Sequence, residues 1–179
     1  MSTLNQSLFQ FVHQFVGRNF LIDDLGIFFA EYMPYLMVAG FLLLAYREQG
    51  WRKKFYVFAE GAIAVMVSRG IVTELIRYFY HHERPFSFYN FTPLIPEVGW
   101  SFPSGHAAWF FALATVIWYV NRKWGVWYFV LSVVMGIARI YVGVHWPLDV
   151  LGGIVAGVAS GMFVHFLLRT SRDELYHKK

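Results

Sequence analysis

The chain has 179 residues, of which 58% are hydrophobic and 21% aromatic, while 15% carry a charge. A soluble domain of this length cannot hide so much apolar surface, so the composition places the chain in a membrane. The net charge is +4 with no cysteine, which excludes disulfides, zinc thiolates and thiol nucleophiles; the basic residues fall in short loops and form no continuous stripe, so nucleic acid is not expected as a partner.

From Leu4 to Val16, the apolar residues Leu8, Phe9, Phe11, Val12, Phe15 and Val16 recur at roughly helical spacing among Asn5, Gln6, Gln10, His13 and Gln14. This pattern predicts an amphipathic helix on the membrane surface within residues 1–22. No cleavable leader is expected, because a basic leader is missing and Gln10, His13, Gln14 and Arg18 break the first apolar stretch. Five apolar spans follow, Leu25 to Tyr46, Phe55 to Tyr80, Ser104 to Val120, Gly125 to Tyr141 and Pro147 to Leu168. About 20 apolar residues suffice to cross about 30 Å of hydrocarbon. The expected fold is an all-α polytopic membrane bundle of five helices, or six if the N-terminal helix inserts. It forms one membrane-embedded domain over residues 1–179.

Orientation follows from the loop cations. Arg47, Arg52, Lys53 and Lys54 follow the first span, Arg122 and Lys123 the third, and Arg169, Arg172, Lys178 and Lys179 the last. All fall on one side, read as cytoplasmic. Trp51, Trp118, Trp124 and Trp127 are expected near that face, with Trp100 and Trp146 near the other, as aromatic belts. Gly153, Gly157 and Gly161 form a small-residue ridge on the last span, suited to close helix packing.

The opposite face collects the loops that carry chemistry. Arg77 and Arg84 are seven residues apart, and Pro85 takes Arg84 out of helical geometry. Paired guanidinium forks suit phosphate oxygens, although arginines at a helix end can also simply snorkel. Next comes Pro103-Ser104-Gly105-His106 before an apolar span. Ser104 is a candidate N-cap, and amides at a helix start favour an anion; alternatively Ser104 is only a cap and His106 an interfacial histidine. The third cluster is Arg139, His145 and Asp149. A carboxylate accepting from one ring nitrogen of His145 would leave the other free to attack, but Asp149 in a first helical turn also favours the dipole regardless of function. Three clusters on one face together supply anion clamps, amide donors, a nucleophile, an acid and an orienting carboxylate.

Arg77-x6-Arg84-Pro85, Pro103-Ser104-Gly105-His106 and Arg139-x5-His145-x3-Asp149 resemble, in order and spacing, the three-part signature of the type 2 phosphatidic acid phosphatase superfamily. The motifs and their spans cover about residues 55–168. Arg77 stands where the family usually has lysine and Ala138 where it usually has serine, so charge is kept at the first position and a hydroxyl is missing at the second. The resemblance implies a membrane lipid phosphatase in which His145 forms a phosphohistidine, Asp149 orients His145, and His106 protonates the leaving oxygen. Arg77, Arg84 and Arg139, with Ser104 and the Gly105 amide, would hold the phosphoryl oxygens. Neither a metal nor a cofactor is implied, since the arginines bring the charge.

The Phe86 to Phe102 segment is too short for a soluble substrate-binding domain, so a membrane lipid is expected to arrive sideways; no obligatory protein partner is evident. The overall size and the Phe29-Ala30-Glu31-Tyr32 stretch resemble the bacitracin-resistance type of undecaprenyl-diphosphate phosphatase. That resemblance implies a polyprenyl diphosphate substrate at an extracytoplasmic site, with phosphatidylglycerophosphate and phosphatidate as alternatives. A non-catalytic lipid-phosphate binder or transporter is the alternative of another class. The motifs also resemble those of vanadium haloperoxidases, which are soluble and larger. Charged residues within the spans, Glu31, Arg69 and Glu74, are costly in hydrocarbon and expected to pair; Glu31 is expected to meet Arg69 or Arg77 as support for the site. His81 and His82 read as loop histidines.

Overall fold

A computed structural model describes residues 2–169. Within them the chain forms seven helices, which we number α1 (Thr3–His13), α2 (Phe20–Arg47), α3 (Trp51–Phe79), α4 (Pro85–Tyr89), α5 (Gly105–Val120), α6 (Arg122–Tyr141) and α7 (Pro147–Leu167). No strand occurs among the described residues. Helices α2, α3, α6 and α7 are long and apolar enough to cross a membrane. At 16 residues α5 is shorter, reaching about 24 Å at 1.5 Å per residue. It is apolar on nearly every side and buried along most of its length, including Ala107, Ala108, Phe110, Phe111, Ala112, Leu113 and Ala114, as a central helix enclosed by others should be.

The predicted glycine ridge explains how α7 docks on α5. A Cβ at Gly153 would come within 2.5 Å of the Ser104 carbonyl oxygen, one at Gly157 within 2.5 Å of the Ala108 carbonyl oxygen, and one at Gly161 within 2.8 Å of Thr115 Cβ. Backbone meets backbone there, so only hydrogen fits. This contact sets the distance between the start of α5 and the start of α7, where two of the three motifs lie. Nearer the basic end, His165 Nδ1 lies 2.7 Å from Glu60 Oε1 and the His165 ring stacks on Tyr119, tying α3, α5 and α7 together in the interior.

Helix α1 spans 11 residues, about 17 Å, too short to cross. It lies across the ends of α6 and α7. Phe9 is buried against Trp146, with ring centroids 5.0 Å apart; Asn5 Oδ1 accepts from the Leu148 N–H at 3.0 Å; His13 Nδ1 sits 2.8 Å from the Tyr141 carbonyl. Four helices are thus long enough to cross, with the shorter apolar α5 enclosed among them and α1 packed at the motif-bearing end.

The α2–α3 and α5–α6 connections meet at the opposite end and carry Arg47, Arg52, Lys53, Lys54, Arg122 and Lys123. Aromatic rings sit beneath several of these cations: Lys54 Nζ is 4.0 Å from the Tyr46 ring and the Arg122 guanidinium 5.4 Å from Trp118. Arg172, Lys178 and Lys179 lie outside the described residues. One expected anchor is corrected. Trp146 is fully buried rather than interfacial, because its indole N–H donates to the Glu83 carbonyl at 2.9 Å and its ring fills the space under α1.

Two long helices loosen locally. Phe28–Tyr32 in α2 and Met66–Thr73 in α3 are π-helical, with i→i+5 bonding that brings residues five apart onto one face. The first stretch contains Glu31 and the second Arg69.

Candidate active site

The end of α3, the 80–104 segment, the start of α5 and the 142–146 turn surround a cavity of about 180 Å³. Its lining includes Arg69, Arg77, Arg84, Gly105, His106 and His145, together with Glu97 and Trp109. Six of the ten residues expected from sequence thus share one wall-to-wall space. A wider cavity of about 340 Å³ adjoins it, sharing Glu97, His106 and Trp109 and adding Glu31 and Arg139.

Each position has a local cause. Ser104 caps α5, its hydroxyl oxygen accepting from the Ala107 N–H at 3.4 Å, so the positive end of the α5 dipole opens at Gly105 beside the pocket. Ser104 itself is fully buried and outside the lining. Gly105 is needed for a second reason: a Cβ there would lie 2.4 Å from Arg69 Nε. The missing side chain is what lets Arg69 cross the helix start. Arg77 donates from Nη2 to the Pro103 carbonyl at 3.0 Å, reaching from α3 to the α5 entry.

Arg84 begins the short helix α4, which Pro85 initiates. Its five N–H groups are heavily committed. Nε donates to the Gly99 carbonyl and Nη1 to the Val144 carbonyl, both at 2.9 Å, while Nη2 donates to Val98 and Trp100 at 3.1 and 3.3 Å. Nη1 also lies 3.4 Å from His145 Nε2. Arg84 therefore clamps the 98–100 loop to the 142–146 turn and offers a pocket anion mainly its charge. Burial, and Arg77 nearby, lower its pKa to about 10, so it stays charged at neutral pH.

His145 is buried. Burial, reinforced by Arg139 and Arg84 and opposed by Asp149, pushes its pKa down to about 3. The ring is thus neutral at physiological pH, with a lone pair available. Its Nδ1 is 3.5 Å from Asp149 Oδ2, just beyond hydrogen-bond range. Asp149 is itself tightly held: Oδ2 accepts from the Ser101 hydroxyl and from the Trp146 N–H at 2.7 Å, and Oδ1 lies 3.2 Å from His82 Nδ1. The Trp146 contact closes the first turn of α7, and the Asp149 N–H donates back to the Trp146 carbonyl at 3.0 Å.

Sequence reasoning missed four residues. His82, read as a loop histidine, reaches Asp149, whereas its neighbour His81 stacks on Trp100. Ser101 is fully buried against the same carboxylate. Glu97 pairs with Arg139 and lies 3.8 Å from Arg84. Trp109 borders both cavities. The expected pairing of Glu31 with Arg69 or Arg77 does not form. Glu74 takes both, pairing with Arg69 and standing 3.5 Å from Arg77 Nη1, because the π-helical stretch brings Arg69 over a residue five positions on. Glu31 instead faces the wider cavity with Arg139. Ala138 is buried in an apolar cluster with Ala30 and Ile95.

The chain is similar to known proteins over most of its length. Residues 58–173 match the model of the PAP2 superfamily. The chain is 32% identical to the Bacitracin transport permease protein BcrC of Bacillus licheniformis, covering 91% of this chain and 80% of that protein. It is 29% identical to the Undecaprenyl-diphosphatase BcrC of Bacillus subtilis, covering 95% and 89%. Among solved structures, LpxE of Aquifex aeolicus superimposes with a TM-score of 0.73 at 27% identity, covering 91% of this chain and 95% of that one. A family match over most of the motif-bearing helices, joined to a multi-span bundle with the motifs gathered at one pocket, leads to one conclusion: the chain belongs to the PAP2 superfamily, as a multi-pass membrane phosphatase.

Proposed function

We propose that this phosphatase removes the terminal phosphate from a polyprenyl diphosphate, undecaprenyl diphosphate foremost, through a phosphohistidine on His145. The observation that supports the mechanism is the neutral His145 bordering a pocket with three arginines and His106. The substrate reading is supported by likeness to the undecaprenyl-diphosphatase of B. subtilis.

In the first step the Nε2 lone pair of His145 attacks the terminal phosphorus. An N–P bond forms as the P–O bond to the lipid monophosphate breaks, and His106, which takes up a proton when the anionic substrate offsets the arginines around it, gives that proton to the departing oxygen. In the second step neutral His106 takes a proton from water, the water oxygen attacks phosphorus, the N–P bond breaks and inorganic phosphate leaves. Phosphoryl transfer needs positioning and stabilised negative charge more than covalent assistance. Arg69, Arg77, Arg84 and Arg139 supply that charge without a metal, Ser104 fixes the first turn of α5 so that the Gly105 amide serves the phosphoryl oxygens, and Asp149 orients His145. Helix α1 (Thr3–His13), shorter than the 1–22 segment expected from sequence because Phe20 already starts α2, acts as the interfacial helix of one catalytic domain, with residues 55–168 as its core. By the cation rule the pocket faces away from the cytoplasm.

The test is phosphate release in detergent with excess EDTA from undecaprenyl diphosphate, phosphatidylglycerophosphate and phosphatidate, wild type against His145→Ala. Release that survives EDTA, disappears in the variant and is fastest on the diphosphate is the expected result. Binding of a lipid without release from any would replace the enzyme mechanism with a binder or transporter. A cysteine in the 86–102 loop that reacts from the cytoplasmic side alone would reverse the orientation.

A further inference from the structure

Glu97 is an anion among the cations that the proposed reaction reserves for an anionic substrate. Its carboxylate pairs with Arg139 and lies 3.8 Å from Arg84, and the residue borders both the 180 Å³ pocket and the 340 Å³ cavity. The loop that carries it does not need this charge. Arg84 already holds the carbonyls of Val98, Gly99 and Trp100, the Leu94 N–H donates to the Val142 carbonyl at 3.1 Å, and the Ser101 N–H donates to the His82 carbonyl at 2.7 Å. Arg139 is the less satisfied member of the pair, for its Nε is buried with no acceptor among the described residues. A buried donor of that kind is available to an incoming oxygen.

We propose that Glu97 is a specificity-determining residue: it sits on Arg139 as a resident anion, and it favours substrates whose second phosphoryl group can take its place over monophosphate esters. The inference rests on the proposed reaction, in which His106 protonates the leaving oxygen. His106 borders both cavities, so the leaving side of the substrate points toward the wider one, where Arg139 lies. For a diphosphate the leaving group is itself a phosphate, which brings charge to Arg139 and displaces the carboxylate. For a monophosphate ester the leaving group is an uncharged alcohol, which cannot compete, and Glu97 stays in place to repel the phosphoryl group beside it.

The experiment measures binding as well as turnover, on the full chain in detergent. Inorganic phosphate and methylenediphosphonate are titrated calorimetrically into wild type, Glu97→Gln and Glu97→Asp. Glu97→Gln should bind phosphate about tenfold more tightly, the order expected when a repelling like charge beside the ligand is removed, and should gain less for the diphosphonate. Its KM for phosphatidate should fall by a similar factor with a smaller change in kcat. Glu97→Asp keeps the charge but draws it back by one methylene, so it should gain phosphate affinity in the same direction by less; it serves alone if the glutamine variant does not fold. Unchanged or weaker phosphate binding in these variants, or an equal gain for both ligands, overturns the inference. Absence of turnover in wild type with these binding shifts intact would remove the proposed reaction and leave the resident anion standing.

Discussion

Two glycines packed around the start of α5, Gly105 against α3 and Gly153 of α7 against α5, should fail in opposite ways when each becomes alanine. At Gly105 the new methyl would lie 2.4 Å from Arg69 Nε and 2.8 Å from its Cδ. Arg69 is about one-third exposed, so it can swing away at little cost to folding, and alanine suits a first helical turn better than glycine. What is lost is one guanidinium in the pocket, on the order of 1.5–3 kcal/mol for a charge-assisted contact, or about 10–100-fold in kcat/KM. At Gly153 the methyl would meet the Ser104 carbonyl oxygen at 2.5 Å and Ala107 Cβ at 2.6 Å. Neither can yield without moving α5 from α7, and overpacking of this kind costs about 1–3 kcal/mol of stability. The assay pairs phosphate release with thermal unfolding in the same detergent. Gly105→Ala should lose rate at wild-type Tm, and Gly153→Ala should lose Tm. Wild-type rate in Gly105→Ala, or equal losses of Tm in the two variants, would refute the reasoning about what each missing side chain makes room for.

Two further outcomes follow from the same geometry. His145 titrates near 3 when folded against 6.5 in the reference state, so the unfolded chain binds the extra proton between those values and stability falls as pH drops below 6.5, by about 2 kcal/mol between pH 7 and 5. Denaturation in detergent at the two pH values should show that loss reduced in His145→Gln; an identical slope would mean the ring is not held neutral by burial. Asp149→Asn should lower kcat by about 10³–10⁴, as loss of an orienting carboxylate does elsewhere, and it should also lower Tm because Ser101, His82 and the Trp146 N–H lose their anionic acceptor. A loss below tenfold in kcat would show that Asp149 holds the fold rather than the ring.

What could be read from the sequence was what is local. The Ser104 cap, Asp149 in a first turn, Pro85 ending helical geometry at Arg84, and the glycine ridge each depend on neighbours within a turn or two, and each is found as expected. The spans were legible because bilayer thickness fixes their length. The supports of the site were not legible, since Ser101 and His82 gain meaning only when folding brings them to Asp149, 48 and 67 residues away. The Arg69–Glu74 pair was hidden differently: a five-residue spacing has no place in α-helical pairing rules and depends on a π-helical register that composition does not announce. Trp146 was assigned to a belt by its position near a helix end, and its burial depends on α1, which no periodicity could dock there.

That docking has a consequence for the order in which the molecule is made. Helix α1 is the first element to be synthesised, yet Phe9 packs on Trp146 and Asn5 receives the Leu148 amide, more than 130 residues later in the chain. Trp146 directly follows His145 in the chain, so the turn bearing that histidine has its backing only once the earliest helix has waited for the last span to arrive. Assembly of the pocket is therefore a closing event of biogenesis, and a nascent chain arrested before α7 carries the arginines of α3, the cap of α5 and the His145 turn without Asp149 and the Leu148 amide, which fix that turn and α1 in place.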